Sequence, residues 1–143
     1  MRRYLVEAGR VVRELAPGER ATVGQVLRTA RAVMPSARVC KVPTGARPRA
    51  DLYLHPVDLA RVLRAAGGLS VRAWVADALA SADLATLRVR LLHLDFDGGV
   101  ARTSLPLIVT DARHAELLDV AKGVGLPLQS VARMAIQVAL ERD

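Results

Sequence analysis

Two stretches of the chain share one pattern. Residues 67–79 read GGLSVRAWVADAL and residues 124–136 read VGLPLQSVARMAI. Each carries a Gly-Leu-x-x junction followed by apolar positions three and four apart, the spacing of a single helix face. Upstream of each junction the order is strand, helix, glycine joint, helix, so a unit of roughly 45 residues occurs twice. A unit that small exposes a strand edge and more apolar surface than it can bury alone. Two copies in one chain can supply each other's strand and core. Equally, each copy can pair with the same copy in a second chain as a homo-oligomer, and the sequence leaves both open.

Local signals place the elements. Leu5, Val6, Val11, Val12 and Leu15 have roughly helical spacing, and Pro17-Gly18 ends the run, so residues 2–15 are expected to be a helix. Thr22 with Gln25 resembles a capping box that opens a second helix carrying Val23, Val26, Leu27, Ala30 and Val33 and ending before Pro35. Ala37–Val42 and Ala50–Leu54 read as short strands flanking a turn-rich basic arm, residues 43–49. Two helices followed by a basic hairpin resemble a minimal winged-helix unit without its third helix. Pro56 fits the first turn of a helix with Leu59, Val62, Leu63 and Ala66, ended by Gly67-Gly68. Ser70 is placed to cap the next helix, which carries Val71, Trp74, Val75, Ala78 and Leu79. Leu87, Val89 and Leu91 alternate with Arg88 and Arg90, and Asp97-Gly98-Gly99 supplies a turn, so residues 86–109 are expected to form a hairpin returning through Leu105, Leu107 and Val109. A last helical pair begins near Thr110-Asp111 and is jointed at Gly125.

The duplicated strand–helix–Gly–helix order, with its Ser70 cap, resembles the ribbon-helix-helix family of DNA-binding proteins. There two such units intertwine, and their strands pair into an antiparallel ribbon that enters the major groove. The resemblance covers about residues 50–82 and 103–142, the first copy needing a one-residue adjustment between its strand and its first helix. It implies an α+β fold: duplicated ribbon-helix-helix units sharing a small antiparallel sheet over 50–143, after a basic N-terminal helical region over 1–49. It also implies that the first turn of each second helix offers backbone N–H groups to a phosphate, at Ser70, Val71 and Arg72 in copy one. The reading face departs from the pattern. With Leu105, Leu107 and Val109 in the core, Ser104, Pro106 and Ile108 face outward, and proline and isoleucine cannot donate to base edges. In copy one Asp51, Tyr53 and His55 face outward.

Charge supports a polyanionic partner. The net charge is +7, and residues 1–50 hold eleven basic groups against three acidic ones, while the remaining two thirds are close to neutral. Nearly all of that excess is arginine, which suits bidentate phosphate contacts. Double-stranded DNA is the expected partner, with phosphate contacts from Arg2, Arg3, Arg28, Arg31, Arg38, Lys41, Arg47 and Arg49. Tyr53 and His55 lie on the ribbon, and Ser70 with Arg72 clamps the backbone. Regulation of transcription, or an accessory role in a plasmid, phage or DNA-transfer system, follows from the resemblance. An antitoxin-like or adaptor protein, binding an acidic protein partner, is the alternative.

Other classes are disfavoured. Tyr4, Tyr53, Trp74 and Phe96 are the only aromatic residues, too few for a single-strand stacking platform. No apolar run reaches the ~18 residues of a membrane span, and the segment after Arg2-Arg3 is not expected to act as a secretory signal. Cys40 is the only cysteine, which excludes an internal disulfide and fits the cytoplasm. His93, Asp95 and Asp97, at spacing two, would share one strand face and could ligate a divalent metal. A solvated face beside a turn explains them better. No nucleophile motif or phosphate-binding glycine loop is present, so neither enzymatic activity nor a cofactor is expected.

Overall fold

The computed structural model describes residues 2–7, 10–16, 23–35, 37–93 and 103–142. The fold is α+β. Strands β1 (Arg2–Glu7), β2 (Arg10–Leu15) and β3 (Arg38–Val42), with helix α1 (Val23–Arg31), precede β4 (Arg47–Leu54), α2 (Pro56–Ala66), α3 (Val71–Ser81) and α4 (Leu84–Leu92). Then come β5 (Thr103–Val109), α5 (Asp111–Val124) and α6 (Leu128–Arg142). The strands form two antiparallel sheets, one ordered β2-β1-β3 and one pairing β4 with β5.

Residues 2–7 and 10–15 are two paired strands, where a helix is expected from the sequence. Leu5 and Val6 are adjacent and both buried, which on a strand means opposite faces. Leu5 and Leu15 pack with Val26 and Ala30 of α1, whereas Val6 and Cys40 join the main core. A strand covered on both faces reads as apolar doublets rather than alternation, and the doublets imitate helical spacing. The register between β1 and β2 also shifts between Leu5 and Val6. The expected hairpin joining 37–42 to 50–54 is absent: β3 pairs with β1 and β4 with β5, so the winged-helix likeness is lost. Helix α1 lies where the 22–25 signal put it, although Thr22 is outside the described residues, and Val33 lies exposed beyond its end.

The second correction concerns residues 84–92, helical rather than a strand. Asp83 caps α4, its carboxylate accepting from the Ala85 N–H at 3.2 Å and the Thr86 hydroxyl at 2.9 Å. Leu87 and Leu91, one helical turn apart, are buried, while Val89 and Leu92 are exposed. The short Leu-Arg alternation fits both periods, and the cap decides between them. Strand β5 exists as expected, but its partner is β4. The Asp97-Gly98-Gly99 turn lies outside the described residues.

The two aligned sequence stretches both form helices of one core. Helices α3 and α6 begin at the aligned positions Val71 and Leu128. The aligned pairs Trp74/Val131, Val75/Ala132, Ala78/Ala135 and Leu79/Ile136 are all buried in one core. Each strand reaches its helix through a single capping residue, His55 or Thr110, and the copies differ instead in the first helix, 11 residues in α2 against 14 in α5. Gly125 ends α5 at φ 70°, a left-handed conformation that glycine adopts without the Cβ penalty. Arg113 of α5 donates to the Leu79 and Ala82 carbonyls at the end of α3, satisfying carbonyl groups that the helix leaves open.

Candidate functional site

Pairing of β4 with β5 sets the first candidate surface. Leu52 lies opposite Leu105 and Ala50 opposite Leu107, with Leu52, Leu54 and Leu107 in the core. Asp51 and Tyr53 face outward opposite Pro106 and Ser104. Tyr53 is 44% exposed, but Ile108, expected outward and free, is only 7% exposed. A register shift between Pro48 and Ala50 makes Arg49 the extra residue of a bulge. Arg47 and Arg49 converge on one carboxylate oxygen, Oδ1 of Asp111, Arg47 at 3.4 Å and Arg49 in closer contact. Arg47 remains exposed and Arg49 is largely covered. Burial and the neighbouring Arg47 charge lower the Arg49 pKa from its ordinary value. The basic end of the expected arm, Arg47 to Arg49, is therefore part of β4, held to the first turn of α5.

The helix starts are capped by their own side chains. His55 Nδ1 accepts from the Val57 N–H at 3.2 Å. Ser70 Oγ accepts from the Ala73 N–H at 3.1 Å, with Arg72 exposed in the first turn. Beside this turn β2 approaches closely: a Cβ on Gly68 would stand 3.2 Å from the backbone nitrogen of Val11. Only glycine gives that clearance without a shift.

A second surface lies at the free edge of β3. Three of the expected cations, Arg31, Arg38 and Lys41, line a cleft of about 420 Å³, joined by Arg142 from the far end of the chain. Its floor carries Asp77, the one charged residue in the core among the described residues. Asp77 accepts from the Lys41 backbone N–H at 2.9 Å and faces the Arg38 guanidinium at 3.4 Å. The Arg31 Nε donates to the Ala37 carbonyl at 3.0 Å. Ser81 donates to the Asp77 carbonyl at 2.6 Å and accepts from Arg142 at 3.3 Å. Burial first, then the Asp77 carboxylate, push the adjacent Cys40 thiol up to about 12, so it stays protonated.

The remaining expected residues are dispersed. Arg2 pairs in register with Val42 and Arg3 with Lys41, and Arg28 is exposed one turn before Arg31. Asp77 and Arg142 were not singled out from the sequence. A lone aspartate among apolar residues in WVADALA was the available signal, because a buried carboxylate requires partners. His93 ends α4 and is exposed, not on a strand face; Asp95 and Asp97 lie outside the described residues. Among the described residues no three histidine, cysteine or acidic side chains cluster as a metal site, and no helix is long and apolar enough to cross a membrane.

Comparison with known proteins finds no matching family model, no matching curated protein and no matching solved structure.

Proposed function

We propose that the chain binds double-stranded DNA as a single-chain pseudo-dimer of ribbon-helix-helix type, acting without catalysis in the cytoplasm as a repressor or a plasmid, phage or DNA-transfer accessory factor. The observation that carries this reading is the antiparallel pairing of β4 with β5, one strand from each strand–helix–helix copy, within one chain. The shared burial of the aligned α3 and α6 residues supports it, as does the excess of arginine in the first third. Phosphates would be met by Arg2, Arg3 and Arg28 on the N-terminal sheet and α1, and by Arg72 with the open N–H groups beyond Ser70. Arg47 and Arg49 would contribute through the charge that Asp111 leaves unneutralised. The test is duplex binding by fluorescence anisotropy across a salt series, followed by selection of bound fragments from a random genomic pool. Salt-dependent binding with one enriched motif is expected; no retention at low salt overturns the reading.

A protein-binding role for the same fold is favoured by one observation. The outward ribbon face presents Asp51, Tyr53, Ser104 and Pro106 rather than a row of base-reading donors. An acidic protein partner lost on Arg47/Arg49 substitution, with no duplex affinity, would establish that role instead.

A further inference from the structure

We propose that the cleft at the free edge of β3 binds a small phosphorylated molecule, its phosphate held by Arg31, Lys41 and Arg142 and its organic part lying on Pro35, Ala37 and Val39. The inference is independent of the DNA reading.

The charge balance of the cleft points to an anion. Four basic residues line it, from α1, β3 and α6, with one carboxylate among them. Asp77 is engaged by Arg38 and by the Lys41 backbone, and among the described residues no carboxylate pairs with the Lys41 ammonium, Arg31 or Arg142. Like charges gathered in a concave, partly apolar place repel more strongly than on an open surface. A dianionic phosphate removes that repulsion.

The donors are also held in place. Arg31 and Arg142 are each fixed through one nitrogen, to the Ala37 carbonyl and to Ser81. A guanidinium has five N–H donors, so each keeps others for a ligand. The Lys41 N–H points away from β1, and strand alternation turns the Val39 N–H to the same side.

Size and lining argue for an organic phosphate rather than a bare ion. A volume of about 420 Å³ lies within the range of small-molecule sites, and Pro35, Ala37 and Val39 give this charged cleft an apolar strip. The phosphates of duplex DNA are displayed on a convex rod and are met by exposed side chains, not by a recess between elements. The cleft joins α1 and β3 to α3 and α6, so an occupant would tie the N-terminal sheet to the helical core and stabilise the whole chain.

The test uses the intact chain, titrated calorimetrically with inorganic pyrophosphate, adenosine 5′-monophosphate and adenosine, with the melting temperature followed in parallel. Both phosphates are expected to bind and raise the melting temperature, and adenosine to do neither. R31Q/R142Q should weaken phosphate binding at least about tenfold, as should K41M, which keeps Asp77 and its partners. R64Q/R88Q, of equal charge change on exposed helix surface elsewhere, should leave it unchanged. No binding of either phosphate at about 10 mM overturns the proposal, as does equal weakening by R64Q/R88Q. Loss of duplex affinity in K41M with pyrophosphate affinity intact would also overturn it, assigning the cleft to DNA.

Discussion

Gln129, in the first turn of α6, hydrogen-bonds the free edge of β4 at Tyr53: its side-chain oxygen accepts the Tyr53 N–H at 3.1 Å. Its amide nitrogen donates to the Asp51 carbonyl. The carboxamide thus does what a neighbouring strand would do, on a sheet where, among the described residues, β4 has only β5 beside it. Unpaired strand edges invite pairing with other chains, and here a side chain of the second copy closes the edge of the first.

Replacing Gln129 by alanine should therefore lower stability by about 1–2 kcal/mol, two modest hydrogen bonds, and raise self-association. Q129E, which can accept from Tyr53 but not donate to Asp51, should fall between alanine and wild type. Urea denaturation and light scattering at rising protein concentration check both. Wild-type stability in Q129A would show that water replaces the amide without cost.

Asp111 should restrain DNA affinity. It faces both Arg47 and Arg49, so D111N is expected to tighten duplex binding several-fold at low salt, with the gain shrinking as salt rises. R47Q/R49Q should flatten the salt dependence by a slope of ~1, because Asp111 already neutralises one of the two charges. Anisotropy titrations over a salt series measure both variants. An unchanged slope in R47Q/R49Q would remove these residues from the interface.

What the sequence disclosed follows the range of each signal. The caps and glycine joints are local chemistry, and α2, α3, α5 and α6 were placed by them. Asp83 carries the same kind of signal for α4 but was outweighed by a five-residue alternation, Leu87 to Leu91, that a helix satisfies equally through Leu87 and Leu91. Strands β1 and β2 carry helix-like spacing because Leu5 and Val6 serve two cores, and periodicity assumes one buried face. The cleft was legible only in part: Arg31, Arg38 and Lys41 lie near one another in the chain, but Asp77 and Arg142 arrive through packing of α3 and α6. The β4–β5 pairing joins residues 49 to 62 positions apart, beyond any local rule.

Removing Asp77 should be among the costlier single changes. Its carboxylate is buried and serves the Arg38 side chain and the Lys41 N–H. D77A removes an acceptor from each and should cost about 3 kcal/mol. D77N keeps an acceptor for the Lys41 N–H and should lose less. Chemical denaturation gives both values, and a D77A loss below that of D77N would refute the assignment of Asp77 as the tie between β3 and α3.

Cys40 makes stability depend on pH in the alkaline range. Its pKa is raised from 9.0 to about 12 in the folded chain, chiefly by burial and then by Asp77. The folded state holds the thiol proton that the unfolded state releases, so the contribution is intact below the unfolded pKa and lost as pH rises towards the folded one. Between about pH 9 and pH 12 the unfolded state binds one proton fewer, and stability should fall by about 1.4 kcal/mol per pH unit from this group alone. The difference in slope between wild type and C40A isolates the contribution of this thiol. A shallower slope for C40A is expected, together with slow reaction of the native thiol with a maleimide at pH 8 that accelerates on unfolding. Parallel slopes with rapid native labelling would mean that Cys40 reaches solvent and that the β3–α3 seam opens readily.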